Sequence, residues 1–148
     1  MTTWIVAADS SRARILQVLD RDRHLQEVDD LVNPEGRMQD RELTTDAHPR
    51  RALSTREEPS AVEHSVELFS KRVGDYLEKA RTDHRYDRLY LVAPPKFLGL
   101  LRKEIGKEVE KLVADELPKD LSWFSERELE EYVRESPIGS AKGSGRAP

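Results

Sequence analysis

Apolar positions in the first third of the chain come in short runs separated by polar clusters. Trp4 to Ala8 is apolar without interruption, which predicts a strand buried on both faces. Asp9, Ser10 and Ser11 form a turn cluster. The chain then resumes as a strand over Arg12 to Leu19, with Ala13, Ile15 and Leu19 mainly on one face and Leu16 and Val18 on the other. A charged turn over Asp20 to His24 leads into a third, more polar strand, Leu25 to Val32, closed by Asn33-Pro34. Turns this short predict an antiparallel meander.

The period changes further on. From Pro59 to Arg81, Val62, Val66, Phe69, Val73, Tyr76, Leu77 and Ala80 recur at steps of three and four, the stripe of an amphipathic helix. Ser60 with Glu63 has the spacing of a capping box. Gly74 costs this helix about 1 kcal/mol relative to alanine and suggests close approach to the sheet. Leu89 to Ala93 is a second strand apolar on both faces, so it and Trp4–Ala8 are the expected central strands. Pro95 suits a helix start, and Phe97, Leu98, Leu101 and Ile105 mark that helix's buried face, with Gly99 allowing it to pack closely on the sheet. Residues 106–118 fit two patterns. Val109, Leu112, Val113 and Leu117 extend the helix by period, whereas a strand near Leu112–Leu117, stopped by Pro118, suits the topology better and is preferred. Ser125 to Arg134 closes the domain as a helix capped by Ser125 and Glu128.

The resulting order, β-β-β-α-β-α-β-α, predicts an α/β fold: a ribonuclease-H-like mixed five-stranded sheet of order 3-2-1-4-5, with helices on both faces. Residues 1–135 are expected to form one domain. Within it, residues 34–58 carry many charges of both signs and few large apolar side chains, so a long mobile loop is expected there. The Gly/Ser/Pro-rich stretch 136–148 reads as a disordered tail.

Composition narrows the function classes. The chain has 148 residues, 36% of them charged, and a formal net charge of −4, which argues against a general nucleic-acid coat while leaving room for local basic patches. The absence of cysteine removes disulfides, thiolate metal sites and a cysteine nucleophile. No stretch approaches the roughly 18 apolar residues of a spanning helix, so a soluble, cytoplasmic protein with no membrane contact is expected.

Candidate chemistry gathers at two turns. Asp9 ends a central strand, where a carboxylate in a ribonuclease-H-like nuclease would help hold metal ions; its bland reading is a turn cap. Asp87 sits at the wrong end of the fourth strand, and Asp115 and Glu116 lie in the ambiguous segment. The four histidines, His24, His48, His64 and His84, show no ligand spacing. No catalytic residue, metal or cofactor is assigned. The Pro94-Pro95 turn follows the C-terminal end of a central strand, where ligands gather in open α/β sheets, and its helix carries Lys96, Arg102, Lys103 and Lys107. With Arg50 and Arg51 in the loop, these are the RNA- or anion-binding candidates, and Asp9, Pro94 and Pro95 form a possible ligand-site turn.

Three stretches together, "TWIVAADSSRARIL", "LVNPEGR" and "LYLVAPPKFLGLLRKEIGKEV" followed by "ELPKDLSWFSERELEEYV", resemble the bacterial host-attachment protein family. The strand-Pro-Pro-x-Phe-Leu-Gly-x-Leu-Arg element, Val92 to Arg102, is the most specific piece. The resemblance implies a ribonuclease-H-like fold and a distant kinship with the middle domain of archaeo-eukaryotic release factors. That domain works through a Gly-Gly-Gln loop; no Gly-Gly-Gln occurs here, so peptidyl-tRNA hydrolysis is not carried over. Three readings follow: a non-enzymatic module touching RNA or the ribosome, a protein–protein module in attachment or stress physiology, and a metal-dependent hydrolase using Asp9. The sequence specifies no oligomeric state.

Overall fold

The computed structural model describes residues 2–19, 24–36 and 61–135. Most of the expected loop with Arg50 and Arg51, the Pro59-Ser60 helix start and the 136–148 tail therefore lie outside the described residues.

Thr3–Asp9 (β1), Arg12–Val18 (β2) and Leu25–Val32 (β3) form the meander. Ala61–Thr82 (α1) leads to Arg88–Val92 (β4), then Pro95–Glu104 (α2), Lys107–Leu112 (α3), Val113–Leu117 (β5) and Glu126–Arg134 (α4). The strands make one sheet in the order β3-β2-β1-β4-β5, as the pattern predicts. β1 pairs antiparallel with β2 and parallel with β4. Alternation along β1 divides the core. Trp4, Val6 and Ala8 pack with Ile15, Leu89 and Leu91 under Phe69, Val73 and Leu77 of α1 and Phe97 and Leu101 of α2. Ile5 and Ala7 pack on the other face with Leu16, Tyr90 and Val92 under Leu129 and Val133 of α4.

The local departures have physical reasons. Leu19 is 49% exposed, because β2 ends at Val18 and the period of two stops with it. Residues 106–118 satisfy both patterns in turn: α3 buries Val109, and the chain extends into β5 one residue after Leu112. Ile105 and Gly106 are extended, so the lysine-bearing stretch is two helices rather than one continuous face. Gly74 meets α2 and not the sheet, since a Cβ there would lie 3.0 Å from the Glu104 carbonyl oxygen. A Cβ on Gly99 would meet nothing within 4 Å, so that glycine serves no close contact. Helix α1 ends in a Schellman motif with His84 at φ 59°, its N–H donating to Arg81 O and that of Arg85 to Ala80 O.

Candidate functional site

The site begins at the β1–β2 turn. Asp9 is buried, and its carboxylate serves four donors. Oδ1 accepts from the Ser11 N–H at 2.8 Å and the Ser11 hydroxyl at 3.0 Å. Oδ2 accepts from the Ser122 hydroxyl at 2.9 Å and the Trp123 indole N–H at 2.8 Å. Asp9 is thus the turn cap of its bland reading, and it also anchors the segment between β5 and α4. Ser122 Oγ lies 2.8 Å from Asp120 Oδ1 as well, so one hydroxyl proton faces two carboxylates.

The same turn is clamped from β3. The Asn33 side-chain amide donates to Ser10 O at 3.1 Å, and the Asn33 N–H donates to Ser11 O at 2.8 Å. Gly36 crosses the turn so closely that a Cβ would stand 1.9 Å from Ser10 O. Arg14, also buried, donates to the carbonyls of Ser122 and Phe124 and pairs with Glu27 at 3.1 Å. Sequence reasoning missed Arg14 and Gly36 as site-building residues. The signal for Arg14 was present: it alternates with Leu16 and Val18, an arginine on a face otherwise turned inward.

Beside this turn lies a cleft of about 340 Å³, at the C-terminal ends of β1 and β4 and under the first turns of α1 and α2. Val66, Pro94, Phe97 and Leu100 give it an apolar wall. Among the described residues, its charged lining is Asp9, Glu63, Glu67 and Asp120 against Lys96. The cleft therefore brings together Asp9, Pro94 and Lys96 of the expected residues. Pro95 stands outside it as the first residue of α2, exposed to solvent. Arg102 is turned to β5, where it donates to Glu116 at 2.6 and 2.9 Å; that hydrogen bond raises its already high pKa. Lys103 lies seven residues along α2 from Lys96, about 10 Å of helical rise away, and Lys107 opens the next helix. The geometry does not assemble one basic patch from these residues.

Nor do the acidic candidates Asp87 and Glu116 converge on Asp9. Asp87 accepts from the Thr2 N–H at 2.7 Å at the opposite end of the sheet, and Glu116 is held by Arg102. Among the described residues, no group of three or more histidines and carboxylates is placed to hold a metal ion.

A model of the family described as "Protein required for attachment to host cells" matches residues 4–133, nearly the whole of the folded chain. The chain belongs to that family. A comparison with curated proteins finds no match.

On this attachment-family chain, Phe124 and Tyr132 are half-buried against the core under α4 and do not join Trp123 in an exposed apolar patch. Trp123 itself is 52% exposed, with the Arg12 guanidinium 4.9 Å from its ring centroid. Among the described residues, no helix is long and apolar enough to cross a membrane.

Proposed function

We propose that the protein is a binding module rather than an enzyme, with its ligand site in the cleft between the Asp9 turn and the Pro94 turn. One observation carries this reading: a concave, apolar-walled cleft with a few convergent charged groups opens at the C-terminal ends of two central strands. The four donors on Asp9 favour binding over metal-assisted hydrolysis, because they take up the lone pairs that a metal would need. The family's description, attachment to host cells, supports reading the bound ligand as one that serves that process.

The test is a fragment screen followed by backbone amide NMR. Fragments that bind are expected to move the signals of Asp9, Lys96, Phe97 and Asp120, and the indole signal of Trp123 through its bond to Asp9. If no fragment of any charge perturbs these residues, the cleft is not a ligand site and the reading fails.

A second reading, a release-factor-like module acting on RNA or the ribosome, draws support from Lys103 and Lys107. Both are exposed and, among the described residues, have no ion-pair partner. It predicts salt-sensitive co-sedimentation with ribosomes that weakens on Lys103→Glu. Recovery only in the light fractions at low salt would sink it.

A further inference from the structure

The sheet ends in β3 on one side and β5 on the other, and among the described residues neither has a strand beyond it. Each carries two adjacent acidic residues, Asp29-Asp30 and Asp115-Glu116. Neighbours in a strand point to opposite faces, so the burial of one face accounts for neither pair. The backbone does. The Asn33 N–H donates to Ser11 O, and peptide groups along an antiparallel ladder alternate in direction, so those of Val32 and Asp30, opposite Arg12 and Arg14, point away from β2. The outward Asp30 N–H donates to Asp29 Oδ1 at 2.8 Å, and the outward Val32 carbonyl accepts from Arg72 of α1 at 3.0 Å. On β5, Leu117 O accepts from the Ala93 N–H of the β4 side, which turns Glu116 outward. The Glu116 N–H donates to Asp115 Oδ1, again at 2.8 Å. The second acid of each pair is held by an arginine, Asp30 by Arg12 at 3.0 Å and Glu116 by Arg102 at 2.6 Å. Two edges built from separate segments thus close an outward amide in the same way.

The longer edge is the one with most to close. β5 offers five residues and stops at Pro118, whereas β3 has eight. Exposed apolar side chains also flank β3. Val32 is 50% exposed and Leu68 54%. α1 meets this edge through Ser65, 3.4 Å from the Asn33 side-chain amide, and through Arg72. Leu68 lies between those two on the same stripe of the helix, so it stands beside Val32. A strand edge with apolar side chains and outward peptide groups is a template for another strand. The partner it fits is a second copy of β3, because two such edges related by a twofold axis are self-complementary and pair antiparallel.

We propose that the outer edge of β3 is a latent self-association surface of this chain, held shut by Asp29 and Arg72. Asp29 acts in two ways. Its oxygen occupies the Asp30 N–H that an incoming strand would need, and its charge, with that of Asp30, would meet the same carboxylates of the second copy in a pairing centred there. Arg72 occupies the Val32 carbonyl and sets a guanidinium across the path of the strand. The inference is independent of the cleft and of what the cleft binds.

The test is sedimentation equilibrium of the full chain at pH 7. The wild type is expected to be monomeric. The double variant Asp29→Ala with Arg72→Ala frees both backbone groups and should dimerise, with a dissociation constant at least about tenfold below that of the wild type. Hydrogen exchange in that dimer should slow at the Asp30 and Val32 amides. Val32→Lys, added to the double variant, puts an ammonium on the edge and should restore the monomer. A folded double variant that stays as monomeric as the wild type overturns the proposal. So does association that Val32→Lys leaves unchanged, since the contact then lies elsewhere, and so does a wild-type dimer that Val32→Lys dissociates, since the edge is then already open. Should the double variant fail to fold, Arg72→Ala alone carries the test: Arg72 is exposed, and its loss should lower the dissociation constant about threefold, with an unchanged value counting against the proposal.

Discussion

The two faces of the sheet are closed by different means. One lies under α1, α2 and α3, and its core is apolar almost throughout, from Trp4 and Ile15 to Phe69, Leu77 and Leu101. The other is covered by a single nine-residue helix, α4, and by the segment leading into it. That lighter cover is pinned by polar bonds: Arg14 to the carbonyls of Ser122 and Phe124, Asp9 to Ser122 and Trp123, and the Leu25 N–H to Glu130 at 2.8 Å. A broad apolar face holds its helices by area alone. A short helix covers too little area for that, so its position is set by groups that are costly to leave unpaired. The cleft opens where these two ways of closing the fold meet, at the Asp9 turn.

Breaking each face separately tests this contrast. Phe69→Ala empties the middle of the apolar face and should lower stability by about 3–5 kcal/mol in urea denaturation. A loss below about 2 kcal/mol would mean that α1 and α2 collapse into the space and the face is looser than it looks. Asp9→Ala should cost roughly 2–4 kcal/mol, because the Ser122 hydroxyl and the Trp123 indole N–H lose their shared acceptor. Its loss should be local. Hydrogen exchange is expected to rise first over residues 121–133, with α1 still protected. Equal opening of α1 would make the two faces one cooperative unit and break the contrast.

Gly36→Ala probes the seam between the faces. The added Cβ would meet the Ser10 carbonyl, a backbone atom that cannot rotate aside, so the turn or β3 must move. The expected cost is about 1–3 kcal/mol, with amide shifts centred on Ser10 to Arg12. A neutral substitution would mean that the close crossing does not form in solution.

The apolar face was legible in the sequence because its signals are local. Trp4–Ala8 and Leu89–Ala93 announce doubly buried strands by composition, and the Val66–Ala80 stripe announces its helix by period. Asp9, Pro94 and Lys96 were legible as a site because strand ends in such sheets are where ligands gather. The pins were not. Ser122 reaches Asp9 across 113 residues, and nothing near either residue specifies the other. The acidic lining was hidden for the same reason: Glu67 and Asp120 belong to separate elements and meet only in the fold. The lysine stripe misled because Lys96, Lys103 and Lys107 share a face only on an unbroken helix, and the extended backbone at Ile105 and Gly106 breaks it.

The smallest expected effect sharpens the contrast from the apolar side. Tyr86 carries a hydroxyl into that core, stacked 4.9 Å from Trp4 and donating to the Leu77 carbonyl at 2.9 Å. Inside a helix that carbonyl also faces the N–H four residues on, so losing the phenol leaves it served. Tyr86→Phe should therefore cost only about 1 kcal/mol at neutral pH, well below Asp9→Ala. Burial pushes the Tyr86 pKa up to about 12, so the fold favours the protonated phenol. Its contribution is whole below the unfolded value of about 10 and declines as pH rises from there through about 12. Urea midpoints measured from pH 9 upward should fall more steeply for the wild type than for Tyr86→Phe, and the difference between them should shrink. Parallel curves would mean that the ring titrates as it does in the unfolded chain, and that the apolar face admits water where it looks closed.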